Sequence, residues 1–345
     1  MPGERYELGE SLGRGAMGEV VKAVDRQLER EVAIKSLRDK HLDNDDSKAR
    51  FLLEARATGQ LQHPNIPTVH ELGETSEGRP YFTMSLVQGE NLGSIVDRLR
   101  QGNPEYHKTY TFARRIQIMQ AVCDAIHYAH SRGYLHRDLK PDNIMIGPYG
   151  EVQVMDWGLV RRFSDDPGPR LPSTTMKGTF IGTAAYAAPE QIAGESAVLD
   201  ERTDVYGLGA LLYEVTTLHP PHTGRSVREV MMSVVTKSPP KPESYRQAQQ
   251  GRVPRELSRL IQEAMAPLPE ERLKSALEVK ERLQVILEGE AAPVCAHTHL
   301  KRGAVRLQRF LDNHHSPLMV ALLYLWLLSP PLLLAGLIYF SLFRG

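Results

Sequence analysis

Eight consecutive residues, His136-Arg137-Asp138-Leu139-Lys140-Pro141-Asp142-Asn143, gather side chains suited to one chemistry. Asp138 can accept the proton of an attacking hydroxyl, Lys140 can neutralise a phosphoryl group in transit, and Asn143 can hold a hard cation through its amide oxygen. Thirteen residues past Asn143, Asp156-Trp157-Gly158 offers a second oxygen ligand for a cation. Near the start of the chain Gly13, Gly15 and Gly18 form a G-x-G-x-x-G pattern. Glycines let a backbone approach phosphates closely and donate N–H groups to them. Types and spacing together point to phosphoryl transfer. The plain alternative, a solvated charged loop, would rarely produce this pattern by chance.

These residues need elements to position them. Glu19–Ala23 alternates like a strand, so the glycines belong to a hairpin lid; a dinucleotide fold would start a helix there. Val32-Ala33-Ile34-Lys35 reads as a strand with Lys35 at its end. A buried lysine needs a carboxylate partner, and a helix after Arg50 supplies Glu54. Glu71 and Glu74 compete, but they follow the turn His63-Pro64-Asn65-Ile66 and belong to later strands. Pro80–Val87 is rich in strand formers and ends at Gln88-Gly89-Glu90. From Thr111 to Arg132, Ile116, Met119, Val122, Cys123, Ile126 and Ala129 recur at threes and fours, and Gly133 stops the helix. That helix is the platform for residues 136–143. Glu151–Met155 alternates as a strand and delivers Asp156. Ser238–Pro254, rich in Pro and Gln, reads as a surface loop, and helices continue to about Leu287.

Composition sets outer bounds. The 345 residues suffice for one large two-lobed domain or two smaller ones. Lys+Arg and Asp+Glu balance at 42 each, without the basic excess of a nucleic-acid-binding protein. Two cysteines make no disulfide framework, which fits a reducing compartment. The N-terminus has no apolar run, so no signal peptide is expected. Cys295, His297 and His299 alternate, but they lack a fourth ligand and a tight spacing, so they are not read as a metal site.

The motifs together resemble the eukaryotic-type (Hanks-type) serine/threonine protein kinases of bacteria over residues 6–286. Residues 136–143 resemble the catalytic loop, Asp156-Trp157-Gly158 stands where that family usually has Asp-Phe-Gly, and Ala188-Pro189-Glu190 matches its Ala-Pro-Glu. The resemblance implies an α+β fold of two lobes: a small β-rich N-lobe over 6–88 with one regulatory helix, and a large helical C-lobe over 89–286. It implies ATP and Mg²⁺ as cofactors, Asp138, Lys140, Lys35, Glu54 and Thr183 as catalytic residues, and Asn143 and Asp156 as metal ligands. Gly13, Gly15, Gly18 and Lys35 would hold the phosphates. Leu12, Val20, Ala33 and Met145 would sandwich the adenine, with Met84 behind it and the backbone of Ser85 and Val87 along its edge. Thr183, touching Asp138 and Lys140, implies Ser or Thr hydroxyls of proteins as substrates.

Supporting roles follow from the same resemblance. His136 would pack beneath the loop against Trp157, Asp204 would hold the loop backbone, and Arg272 would pair with Glu190. Arg137 would clamp a phosphate on the activation segment 159–187, with Thr175 and then Thr179 as the sites of autophosphorylation. Trp157 is larger than Phe and its N–H wants a partner if buried, but no chemical group is lost, so activity is expected. The rival reading is a membrane-anchored pseudokinase scaffold. It would be favoured by loss of Lys35, Asp138 or Asp156, and all three are present.

Leu318–Phe343 is 26 residues without a charge. As a helix it would extend ~39 Å, beyond the ~30 Å hydrocarbon layer. With Pro330 and Pro331 inside it, a kinked transmembrane helix over 318–343 is expected, after a juxtamembrane linker over 287–317 that carries Lys301, Arg302, Arg306 and Arg309. The positive-inside rule then places the kinase domain in the cytoplasm of a single-pass cell-membrane protein. The expected partners are protein substrates, the membrane, and a second copy of the chain for trans-autophosphorylation, with no nucleic acid.

Overall fold

Alternating side chains decide the strands of the first lobe, and polar caps ahead of apolar stripes decide the helices. The computed structural model describes residues 5–15, 18–157, 161–162, 184–194, 199–289, 302–305 and 307. Strands β1 (Tyr6–Arg14), β2 (Gly18–Asp25) and β3 (Arg30–Leu37) precede helix α1 (Asp45–Gln60), and β4 (Val69–Glu74) and β5 (Pro80–Ser85) follow it. The five strands pair antiparallel in the order β1-β2-β3-β5-β4. The period of two sends Val32 and Ile34 to one face, with Tyr6, Ala23 and Tyr81. Ala33 and Leu37 go to the other, with Phe82 and Met84. Helix α1 starts at Asn44, whose side chain accepts from Ser47 N at 2.8 Å. Its Phe51 is fully buried and meets Phe82 at 5.3 Å between ring centroids. Three residues later on the same face, Glu54 is carried in above β3.

The end of α1 is fastened elsewhere. Tyr134 donates to Gln60 Oε1 at 2.9 Å, Gln62 N donates to the Tyr128 hydroxyl at 3.3 Å, and His63 stacks on Tyr128. Asn65 donates to Val152 O at 2.8 Å and accepts from Val154 N at 2.8 Å. All these partners belong to the second lobe.

That lobe opens with β6 (Glu90–Asn91), α2 (Leu92–Arg100), α3 (Pro104–Thr109) and α4 (Phe112–Ser131). Gly89, at φ +136°, makes the crossing into it; a Cβ there would come within 2.0 Å of Ile146 O, so only glycine fits. After α4 come β7 (Tyr134–Leu135), β8 (Ile144–Ile146), β9 (Val152–Val154), β10 (Arg161–Arg162) and α5 (Pro189–Ala193). The chain continues through α6 (Glu201–Thr217), α7 (Val227–Thr236), β11 (Arg246–Gln247), β12 (Gly251–Arg252), α8 (Arg255–Ala264) and α9 (Ala276–Leu287). Helix α6 is buried along nearly its whole length, and α4 packs on α6 and α9 through the stripe read from the sequence. Within 238–254, expected as a loop, a short β11–β12 ladder forms around Gly251 at φ +77°. Gln250 fastens it by accepting from the buried Arg115 at 2.8 Å and donating to Thr216 O at 2.9 Å. Periodicity could not reveal a two-residue ladder held by side chains.

The chain divides into a unit over Met1–Leu287 and a second over Glu288–Gly345, of which residues 302–305 and 307 are helical. Among the described residues no helix is long and apolar enough to cross a membrane. The longest, α4, carries Arg114, Arg115 and Asp124 and turns its apolar stripe to its own lobe. This corrects the expected fold class: the described residues form two lobes and include no membrane span. The membrane anchor, the membrane as a partner and the single-pass cell-membrane location are withdrawn with it. Residues 318–343 lie outside the described residues, as do Cys295, His297 and His299.

One buried pair ties α5 to the segment before α9. Arg272 Nη1 and Nη2 donate to the two carboxylate oxygens of Glu190 at 2.7 and 2.8 Å, and Thr203 adds a bond at 3.0 Å. Breaking a buried pair strands the other charge, at about 3–5 kcal/mol. Arg272→Ala is therefore expected to lower Tm on the order of 10 °C in a thermal melt; an unchanged Tm would show that the pair does not hold the lobe together.

Candidate active site

Lys35 lies on β3 opposite Phe82 of β5 and Val20 of β2, a register that fixes where its ammonium emerges. Its Nζ donates to Glu54 Oε1 and stands 3.4 Å from Asp156 Oδ1. One cation thus serves two carboxylates, one brought by α1 and one by the turn after β9. Burial alone would depress the lysine, but Glu54 and Asp156 together raise its pKa above the ordinary value. For Glu54 burial prevails: despite Lys35, and with Asp156 repelling it, its pKa is raised. Burial also pushes against Asp156, but Lys35, Lys140 and His136 outweigh it and hold that carboxyl below its usual range. Glu71, the rival from the sequence, accepts from Arg5 at 2.9 Å and Tyr81 at 3.2 Å instead.

The loop 136–143 is fixed from beneath by Asp204. This fully buried carboxylate accepts from His136 N and Arg137 N at 2.8 Å each and meets His130 Nε2 at 2.8 Å. Burial pushes its pKa up, but His130, His136 and the Arg137 N–H outweigh it and hold that carboxyl below its usual range. Arg137 takes φ +68°, a left-handed conformation that costs a non-glycine residue about 1–2 kcal/mol. Bonds on both sides of it hold the strain: its N–H goes to Asp204, and its carbonyl accepts from Gln191 at 2.9 Å. His130 and Gln191 were not read from the sequence. The only signal for His130 was a polar residue on the apolar stripe of α4.

Above this base, Asp138 Oδ2 accepts from Lys140 Nζ at 2.7 Å, and Asn143 Nδ2 donates to Asp138 O at 2.8 Å and to Asp138 Oδ2 at 3.3 Å. Asn143 O in turn accepts from Met155 N at 2.7 Å, which links the loop to the strand that carries Asp156. The nitrogen of the Asn143 amide is thereby occupied, leaving its oxygen as the atom to meet a cation. With Asp156 it makes a carboxylate–amide pair. This suits a magnesium ion bound largely through phosphates rather than by an all-protein cage. Among the described residues no group of three His, Cys, Asp or Glu side chains is arranged to hold a metal ion.

On the other side of Lys35, the glycine pattern lies in the β1–β2 hairpin, where Gly15 N donates to Gly18 O at 2.9 Å. A Cβ on Gly18 would lie 3.2 Å from Ser36 O and 3.3 Å from Lys35 Cε, so a side chain there would crowd the lysine. Ala33 and Met84 are buried in the cluster that Val20 joins, Leu12 is exposed on β1, and Met145 is half-buried on β8. Ser85 and Val87 follow at the crossing between lobes. Thr183, Thr175 and Thr179 lie outside the described residues.

The protein kinase domain family matches residues 6–283. The chain is 34% identical over 313 residues to the serine/threonine-protein kinase PknD of Protochlamydia amoebophila, covering 84% of this chain and 30% of that protein. It is 38% identical over 290 residues to the serine/threonine-protein kinase PknB of Mycobacterium tuberculosis, covering 83% and 44%. A probable serine/threonine-protein kinase of Corynebacterium efficiens is 36% identical over 302 residues, covering 87% and 44%. The chain thus spans less than half the length of these relatives.

The raised Glu54 sets a pH dependence. A carboxyl with a raised pKa takes up its proton earlier as pH falls, and Lys35 then loses one of its two anchors while Asp156, with its lowered pKa, is still ionised. Nucleotide affinity is expected to fall on the acid side, above the ordinary carboxylate range. Glu54→Gln should bind about tenfold more weakly at neutral pH, the loss of one charge-assisted bond, and should lack that acid limb. Titration calorimetry across pH checks this; an unchanged limb in Glu54→Gln would assign it to another group.

Proposed function

The chain belongs to the protein kinase family, and on that footing we propose that it transfers the γ-phosphoryl group of ATP to serine or threonine hydroxyls of proteins. The observation that carries this reading is Lys35 bridging Glu54 and Asp156 beside a loop on which Asp138, Lys140 and Asn143 are already hydrogen-bonded together. The catalytic domain is assigned to 6–286, with lobes over 6–88 and 89–286 and a linker from 287. The glycine hairpin donates backbone N–H groups to the phosphates, and Lys35, held by Glu54, sets their position. Bound Mg²⁺, held by Asp156 and Asn143, offsets the charge that develops on the phosphates. Asp138 orients the attacking hydroxyl and takes its proton as the new O–P bond forms and ADP departs. Lys140, now 2.7 Å from Asp138, is placed to balance the charge on the transferred group. Lys140 together with Thr183 favours Ser and Thr over Tyr as acceptors. The scaffold reading would be favoured by loss of Lys35, Asp138 or Asp156, and the sequence retains all three.

Labelled γ-phosphate from Mg²⁺-ATP is expected to enter the wild-type chain, on Thr175 or Thr179, as mapped by mass spectrometry. Asp138→Asn is expected to lower transfer about 10²–10⁴-fold, the usual share of a general base, with ATP affinity retained. Equal turnover in that variant would remove Asp138 from the chemistry. Lys35→Ala should lose most transfer as well, and normal turnover would take the phosphates away from that lysine.

A further inference from the structure

The end of β3 carries more positive charge than its own contacts use. Leu37 is fully buried and fixes the strand. The chain then passes through an extended Arg38 into a single helical turn, Asp39–His41, closed by Leu42 N donating to Asp39 O at 3.0 Å. Two hairpins bring further charges to this point. The β1–β2 hairpin brings Arg14 opposite Glu19. The β4–β5 turn brings Arg79, whose N–H donates to Thr75 Oγ1 at 3.2 Å. Arg14, Glu19, Arg38, Asp39, Lys40 and Arg79 are the charged residues lining a cavity of about 300 Å³. Ser36 lines it too, and in register Ser36 stands opposite Glu19 while the neighbouring Lys35 stands opposite Val20. Successive residues of a strand point to opposite faces, so this cavity lies across the sheet from the Lys35 ammonium.

Four cations thus face two carboxylates there, and the hydrogen bonds show which cations are engaged. Arg14 Nε donates to Glu19 Oε1 at 2.8 Å, and the Ser11 hydroxyl donates to the same oxygen at 3.0 Å. Those two bonds, with a smaller contribution from Arg38, hold the Glu19 carboxyl below its usual range. Arg79 donates to Asp39 and stands 3.8 Å from Glu77. Arg38 and Lys40 remain. Arg38 uses one nitrogen on a neutral acceptor, Nη1 donating to Gly15 O at 3.3 Å. Among the described residues its Nε–Nη2 edge makes no hydrogen bond, and Lys40 makes no ion pair. A guanidinium edge is a two-pronged donor matched to an oxyanion, and an ammonium beside it adds a point charge. A carboxylate would answer only one of the two cations. A phosphate monoester, close to dianionic at neutral pH, answers both.

We propose that this cavity is a phosphate-binding site distinct from the nucleotide pocket, in which Arg38 takes two oxygens of a phosphate group through Nε and Nη2 and Lys40 takes the third. The group is either inorganic phosphate or a phosphorylated serine or threonine side chain, the product class of the reaction proposed above. Arg38 holds the anion with one edge and the Gly15 carbonyl with its other nitrogen, so a single side chain joins this site to the glycine hairpin. Phosphate occupancy and nucleotide affinity are therefore linked, and the linkage is reciprocal.

Titration calorimetry on the full chain tests this, with the nucleotide pocket filled by Mg²⁺ and a non-hydrolysable ATP analogue. The probes are inorganic phosphate, a phosphothreonine peptide and its unphosphorylated counterpart. The phosphopeptide is expected to bind in competition with inorganic phosphate, and the unphosphorylated peptide not to bind. Binding of inorganic phosphate alone would keep the site and restrict it to the free anion. Arg38→Ala and Lys40→Ala are each expected to weaken phosphate binding about ten- to hundredfold, the range of a hydrogen bond to a charged group, with a cooperative melt retained. Arg38→Lys keeps the charge without the fork and should recover only part of that loss. Added phosphate should shift the affinity for the analogue in the wild type and not in Lys40→Ala. No binding of either phosphate probe, or equal binding of both peptides, would overturn the proposal. So would undiminished binding in the two alanine variants, or complete displacement of phosphate by the analogue, since either places the anion elsewhere. If phosphate binds and the analogue does not, the kinase reading fails and this site stands.

Discussion

Everything at the site rests on a carboxylate that touches no substrate. Asp204 is buried at the head of α6 and takes three donors, two of them consecutive backbone N–H groups of the catalytic loop. A buried carboxylate without partners would be prohibitively costly; with these it becomes a fixed point, because moving the loop means abandoning a charge in a dry interior. The strained Arg137, the orientation of Asp138 and the seat of His136 all follow from it. Since α6 is the most completely buried helix of the lobe, the loop inherits the rigidity of the core.

The upper lobe is positioned by a different kind of contact. Lys35 reaches its two carboxylates only because β3 sits centrally in the sheet and α1 lies on it through Phe51. Apolar packing sets the approach of the helix, and the ion pair reports whether it is seated. Burial raises the pKa of Glu54, so this contact is the more conditional one: it depends on the lysine staying close, whereas Asp204 is satisfied from several sides.

Much of this was legible in the sequence, for reasons that differ by residue. Residues 136–143 lie consecutively, so their chemistry is readable without knowing the fold. Glu54 could be chosen over Glu71 because it lies on the helix after Arg50, whereas Glu71 follows the turn at His63-Pro64-Asn65-Ile66, and the structure places Glu71 with Arg5. Trp157 was visible as a departure, but its acceptor, the Val154 carbonyl three residues back, was not, since side-chain-to-backbone bonds leave no periodic trace. Gln191, which bonds the Arg137 carbonyl, escaped for the same reason, and His130 and the β11–β12 ladder escaped because their side-chain partners, Asp204 and Arg115, lie far away in sequence. The tail misled because an uncharged apolar run is read by length alone, and among the described residues no helix meets the requirements of a membrane span.

The tether of α1 to the lower lobe has a mechanical consequence. Gln60, Gln62, His63 and Asn65 are fastened to Tyr134, Tyr128, Val152 and Val154, so the C-terminal end of the helix is a fulcrum. At 1.5 Å per residue, Glu54 lies ~9 Å from Gln60 and Asp45 lies ~22 Å from it. The helix is then a lever with its working point close to the pivot. A push of a few ångströms at the Asp45 end reaches Glu54 reduced by more than half, about the difference between a formed and a broken contact with Lys35. Leverage of that ratio lets a coarse displacement far from the nucleotide act as a fine adjustment beside it.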